Sequence, residues 1–240
     1  MSGHSKWAQI KRQKGTADKK KGQLFSKLAR SLTLAAKAGG PDPSMNFKLR
    51  TLIEKSQDAG MPRDNIERAV KRGDGESGSE MIEEIIYESF GPFGSNFLIE
   101  TATDNKNRTV SNIKHVLAKH GGNLGANNSV AWQYVTRGQI LVDRGDKQNL
   151  SDLELAAIDA GAEDVRESAE GLEIYTRPLD LHNIKDQIEQ LGGRVVQAEV
   201  IKESAQGLDL AREQKAKVEA LIAALESDDD VIAVHTNANL

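Results

Sequence analysis

Apolar side chains recur at helical spacing over the first 75 residues and at strand spacing beyond them. From Lys19 to Ala38, the residues Leu24, Phe25, Leu28, Leu32, Ala35 and Ala36 fall on one face of a 3.6-residue repeat, while Lys20, Lys27, Arg30 and Lys37 gather opposite. This predicts an amphipathic helix with a basic back. Gly39-Gly40-Pro41-Asp42-Pro43 stops it, and Asp42 as N-cap with Pro43 at the first helical position is expected to open a second helix. There Leu49, Leu52, Ile53 and Ser56 form the inward stripe, with Lys48, Arg50 and Lys55 outside, and Gly60 ends the run. Met61-Pro62 starts a third helix, with Ile66, Ala69 and Val70 inward and Arg63, Arg68, Lys71 and Arg72 outward. Three short helices of this kind can share one small core.

The stretch Gly73-Asp74-Gly75-Glu76-Ser77-Gly78-Ser79 has no apolar residue and reads as a linker. Beyond it, strand-like segments at 82–89 and 96–103 flank the turn Gly91-Pro92-Phe93-Gly94. A helix at 109–120 ends on Gly121-Gly122, and a strand is expected at 130–135. From Gln139 the order is strand (140–143), helix (151–160), strand (163–168), strand (172–176), helix (179–190) and strand (194–202). That is β-α-β-β-α-β, the ferredoxin-like order. The remaining helix (209–226) and strand (231–236) make no complete unit alone. Joined to residues 82–135, they complete a mixed layer. The expected fold is therefore α+β: an N-terminal three-helix domain (1–78), a middle domain (79–136 with 207–240), and a ferredoxin-like domain (137–206) inserted in it.

Charge changes this picture more than composition does. The net charge of −4 conceals a segregation: residues 1–72 hold 17 Lys/Arg against 6 Asp/Glu, and the rest of the 240-residue chain holds 15 against 30. One end is built for a polyanion and the other repels it. The chain has no cysteine, which removes disulfides and thiol chemistry and fits a reducing cytosol. It has no run of roughly 20 apolar residues and no apolar core behind Met1, so membrane insertion and export are not expected and a cytoplasmic location is.

Residues 3–21 pack Lys6, Lys11, Arg12, Lys14, Lys19, Lys20 and Lys21 around Trp7, with Asp18 the only acid. Phosphate binding by counterion release needs such cation density, and Trp7 offers a ring for base stacking. A solvated tail is the bland alternative. Adding Lys27 and Arg30 on the first helix and Arg63, Arg68, Lys71 and Arg72 on the third completes the candidate nucleic-acid surface. Ala59-Gly60-Met61-Pro62 resembles the turn of a helix-turn-helix, and Arg63 and Asn65 sit where base readout would need them; an ordinary helical corner fits equally.

Signals for catalysis are few. His4, His115, His120, His182 and His235 lack metal-ligand spacing. Asp228-Asp229-Asp230 could in principle bind a divalent cation, and Glu88, Glu100 and Asp104 could converge with them, although consecutive carboxylates just past a helix are usually solvated. No catalytic residue, metal or cofactor is assigned, and no enzymatic turnover is expected.

The segments GHSKWAQIKRQKGTADKKKGQLFSKLARSLTLAAKAGGPDP, MPRDNIERAVKRG, YESFGPFG, DNKNRTVSNIKHVLAKHGGNLG, SVAWQY and ESDDDVIAVHTN resemble the YebC/PmpR family over nearly the whole chain. The resemblance implies a helical domain followed by two α+β domains around an acidic cavity. It also implies a probable DNA-binding transcriptional regulator, since members are generally described so; some relatives act in translation at the ribosome. Nucleic acid is thus the expected partner, as DNA or as ribosomal RNA, with a protein partner or effector at the acidic C-terminal domains as an alternative of another class. Ser31 stands where the family commonly has an acid, and Asn128 where it commonly has Gly.

Overall fold

The structure is a computed structural model that describes residues 19–75, 82–145 and 149–240, with only the backbone of Lys19 and Lys20. Its contacts divide it into two units, one formed by the described part of residues 15–131 with 210–238, the other by 132–209 with 239–240.

In the first unit, helix α1 (Lys19–Gly39) is the axis of the helical part. Leu28, Leu32, Ala35 and Ala36, at the spacing that puts them on one face, meet Leu49 from α2 (Phe47–Asp58), Met61 from the connection, and Ile66 and Ala69 from α3 (Arg63–Gly73) in one core. The opening of α2 departs from expectation: its N-cap is Asn46, whose side chain accepts from the Leu49 amide at 3.1 Å. The Asn46 amide also donates to the carbonyls of Ala35 and Gly40, both at 2.8 Å, so one side chain ties two helices together. Asp42 instead closes a small turn by accepting from the Ser44 amide and hydroxyl.

The same unit contains a four-stranded antiparallel sheet, order β3-β1-β2-β9, made of β1 (Glu83–Phe90), β2 (Asn96–Thr103), β3 (Asn123–Leu124) and β9 (Val231–Thr236). Central β2 buries Phe97, Leu98, Ile99 and Ala102 almost completely. Helices α4 (Lys106–Lys119) and α7 (Arg212–Glu226) supply Ile113, Leu117, Val218, Leu221, Ile222 and Leu225 to the core. β9 comes from the chain after the other unit, which is therefore an insertion. The strand expected at 130–135 is not a separate one: Ala131–Gln133 is a 3₁₀ turn leading into β4 (Tyr134–Asp143), and the third strand of the middle layer is the short β3.

The inserted unit follows β4, α5 (Leu150–Asp159), β5 (Asp164–Glu167), β6 (Gly171–Thr176), α6 (Leu181–Gln190) and β7 (Val195–Ser204), then a short β8 (Leu208–Asp209). Its sheet order is β5-β6-β4-β7, all antiparallel, which is the ferredoxin-like arrangement. Ile140, Val142, Leu172 and Ile174 from the sheet meet Leu153, Ala157, Leu181, Ile184 and Ile188 in the buried set. Gly138 lies inside β4, where a Cβ would stand 2.2 Å from Thr176 Oγ1 and 3.1 Å from Leu181 Cδ1. That close approach keeps glycine in mid-strand.

Candidate nucleic-acid interface

Among the predicted contact residues, Lys6, Trp7, Lys11, Arg12 and Lys14 lie outside the described residues, as do the side chains of Lys19 and Lys20. Lys21 is exposed near the start of α1, its ammonium 6.0 Å from the centre of the Phe25 ring. α3 carries the rest. Ile66 and Ala69 turn inward, which fixes Arg68, Lys71 and Arg72 on the exposed side. These three cations form no ion pair among the described residues. Arg63 is also exposed, but its Nε donates to Glu67 at 2.9 Å, a solvated i,i+4 pair that water and phosphate can displace. Asn65 is half-buried one turn before Arg68.

Between α1 and α3 lies an open cleft of about 250 Å³. Phe25, Ala29, Met61 and Ala69 give it apolar walls, and Ser26, Asn65, Arg68 and Arg72 supply polar groups at its margin. Among the described residues no acidic side chain lines it. The apolar spacing of the helices signalled a core here but not a cleft, because Phe25 and Ala29 occupy the same face as the fully buried Leu28 and Leu32.

Lys27 and Arg30 are placed differently from expectation. The back of α1, expected from sequence to add Lys27 and Arg30 to the nucleic-acid surface, packs against the α+β layer. Arg30 Nη1 donates to the Ala102 carbonyl at 2.8 Å and to the Asp230 carboxylate. Lys27 donates to the carbonyl of Glu226, the last residue of α7, where the helix dipole favours a cation. Burial lowers the Lys27 pKa, and the nearby Glu226, Asp229 and Asp228 only partly restore it. Lys37 reaches the Ile82 carbonyl at 3.3 Å. Three cations of the basic back therefore hold the helical part to the sheet, and Lys27 and Arg30 are committed within the protein. Ser31 on the same helix is buried.

Asp230 is the centre of that contact, and sequence reading placed it only within a carboxylate run. Its side chain is 3% exposed. It accepts from Arg108 Nη2 at 2.8 Å, from Thr109 Oγ1 at 2.7 Å, from Thr103 Oγ1 at 3.3 Å and from Arg30. Burial pushes its carboxyl up, but the hydrogen bonds from Arg108, Thr109 and Arg30 outweigh this, leaving it below the ordinary carboxylate range. Of the other acids, Asp104 shares Arg108 with Asp230, and Asp228, Glu100 and Glu88 have partners of their own. Asp228 accepts from Asn112 at 3.0 Å and Asp104 from Arg108 at 2.8 Å, while Glu100 lies 3.3 Å from His235 Nε2. Glu88 accepts from the amides of Asn128, Val130 and Ala131, clamping the segment that leads to the inserted unit. Among the described residues no group of three or more His, Asp or Glu is placed to hold a metal ion. No described helix is long and apolar enough to cross a membrane.

A helical unit with free cations on one helix, built onto an antiparallel α+β layer that hosts a ferredoxin-like insertion, is a distinctive composite α+β architecture. Residues 5–76 match the family described as "TACO1/YebC protein N-terminal domain", and residues 82–238 match "TACO1/YebC second and third domain". A "probable transcriptional regulatory protein" of Thermoanaerobacter pseudethanolicus is 44% identical over 240 residues, spanning 100% of this chain and 98% of that one. A protein of the same description from Syntrophus aciditrophicus is 44% identical over 246 residues, spanning 100% and 96%. The crystal structure of a conserved hypothetical protein from Aquifex aeolicus superposes with a TM-score of 0.83 at 41% identity, covering 94% of this chain and 93% of that one. The chain belongs to the TACO1/YebC family, in agreement with the resemblance read from its motifs.

Proposed function

We propose that the protein is a nucleic-acid-binding regulator that acts without catalytic turnover or cofactor, taking DNA as its ligand and transcription as its output, in the cytoplasm. The observation that carries this reading is the set Arg68, Lys71 and Arg72, exposed on α3 and without ion-pair partners among the described residues. It continues the basic surplus of residues 1–72. A cation committed to a carboxylate neutralises no phosphate and so displaces no counterion from the nucleic acid, whereas an unpaired one does, so α3 and the basic residues of 3–21 supply the affinity. Lys27 and Arg30 are left out of this surface because their partners are internal. The choice of DNA is supported by the relatives called probable transcriptional regulatory proteins.

The test is a gel-shift titration of the full chain on arbitrary duplex DNA at several salt concentrations, run beside co-sedimentation with ribosomes at low and high salt. Salt-sensitive binding to duplex DNA with no salt-resistant ribosome association supports the reading. Salt-resistant association with ribosomes would replace DNA by ribosomal RNA, and failure to bind either would end the nucleic-acid reading.

A further inference from the structure

The cleft between α1 and α3 has a chemistry that a paired duplex does not use. Its walls are the Phe25 ring, the Met61 side chain and the methyl groups of Ala29 and Ala69, a surface that gains from a flat apolar ring and has nothing to offer a phosphate. Its margin is the opposite: Arg68 and Arg72 stand one helical turn apart, on the same side of α3. The hydroxyl of Ser26 and the amide of Asn65 stand beside them as hydrogen-bonding groups. An aliphatic ligand would leave both guanidinium groups unused, and a cation would be repelled. A ligand with a flat ring between two negative charges satisfies every group, and a nucleotide within a strand is such a ligand.

We propose that the cleft takes one unpaired nucleobase from a single-stranded or looped nucleic acid. The base lies against Phe25 and Met61, its edge meets Asn65 and Ser26, and the flanking phosphates rest on Arg68 and Arg72. This rests on the reading of α3 as a phosphate-binding helix and adds a preference to it. A base in a duplex is stacked on both faces, and extracting it costs a few kcal/mol. The cleft therefore favours unpaired strands over duplex at equal phosphate number. RNA and DNA share this chemistry, so both serve as probes.

The experiment uses the full chain with fluorescent oligo-dT and oligo-U, a hairpin with an open loop, and a blunt duplex of matched phosphate number, at one salt concentration. The parent should bind the single strands and the loop more tightly than the duplex. Phe25→Leu keeps an apolar wall and removes the ring; circular dichroism at 222 nm verifies the fold. It should weaken single-strand and loop binding roughly 5- to 150-fold, the range for loss of one base–aromatic stack, and leave duplex binding unchanged. Asn65→Ala should weaken the same probes to a smaller degree. Equal losses on duplex and single strand, or no loss on either, overturn the proposal while duplex binding by the parent preserves the broader nucleic-acid reading. A parent that binds no probe overturns both.

Discussion

Removing the charge of Asp230 should loosen the helical part from the sheet. Every group facing this carboxylate is a donor: two guanidinium groups and two threonine hydroxyls. Asp230→Asn has nearly the same shape but turns one oxygen into an N–H₂ group that faces those donors. Breaking a buried ion pair by removing one partner costs roughly 3–5 kcal/mol. The figure must be reduced here because Arg108 is 46% exposed and water can solvate it. Arg30 is 23% exposed and retains the Ala102 carbonyl. About 3 kcal/mol is a fair expectation, a lowering of Tm by roughly 6–12 °C for a unit of this size. Thermal unfolding followed at 222 nm measures it, with hydrogen exchange in α1 and β9 to localise the loosening. The pH dependence follows from a carboxyl held below its ordinary range. Its stabilisation is complete above the unfolded value, near pH 4, and is lost as pH falls through the lower folded value. The gap between parent and variant should be full at pH 7 and close in acid. No gap at pH 7, or a gap that persists undiminished in acid, would refute the account.

Arg30→Ala should likewise lower Tm while leaving the salt slope of duplex binding unchanged, whereas Arg68→Ala and Arg72→Ala should each flatten that slope by about 0.9 with little change in Tm; the opposite pattern would return Arg30 to the binding surface. Changing Lys19, Lys20 and Lys21 together to Ala should flatten the slope by about 2 to 3 and weaken binding alike on unrelated sequences, as read by the same titration. Asn128 has φ of 61°, a left-handed conformation that glycine and asparagine adopt most easily. Asn128→Gly should therefore be close to neutral in urea unfolding, and Asn128→Ala should cost about 1–2 kcal/mol.

The left-handed backbone at Asn128 also gives physical sense to a glycine being common there in the family. It is one of several places where local sequence carried the structure. The apolar repeat of α1, the bounds of β2 and β9, and the β-α-β-β-α-β order all depend on local periodicity, and all were legible. Features set by distant partners were not. Asp42 followed by Pro43 is a sound local N-cap signal, but Asn46 wins because its amide also serves Ala35 and Gly40. The strands expected at 130–135 and 140–143 give way to one continuous β4 over Tyr134–Asp143, with Gly138 where Thr176 leaves no room for a Cβ. The basic back of α1 was visible, but its destination was not, since nothing near Lys27 or Arg30 in sequence announces Glu226 or Asp230. Of three consecutive aspartates, only the last, just before β9, is buried beside Thr103 and Thr109. In the candidate site, the free cations of α3 were legible from its amphipathic pattern, while the cleft beside them depends on how α1 and α3 cross.

The contact between Arg30 and Asp230 spans 200 residues of chain, and this fixes an order of events during synthesis. At about 5–20 residues per second, roughly 10–40 seconds pass between the emergence of the arginine and that of its carboxylate. The helices can pack early, since their core is drawn from residues 28–69. Until β9 arrives, one edge of β2 stays unpaired, and until residues 226–230 arrive Lys27 lacks the Glu226 carbonyl and Arg30 lacks the Asp230 carboxylate. The unfinished protein therefore shows a more cationic face to its surroundings than the finished one. Synthesis of residues 226–230 is what retires those charges, so a polypeptide truncated before Glu226 keeps a stickier helical domain even though every helix in that domain is intact.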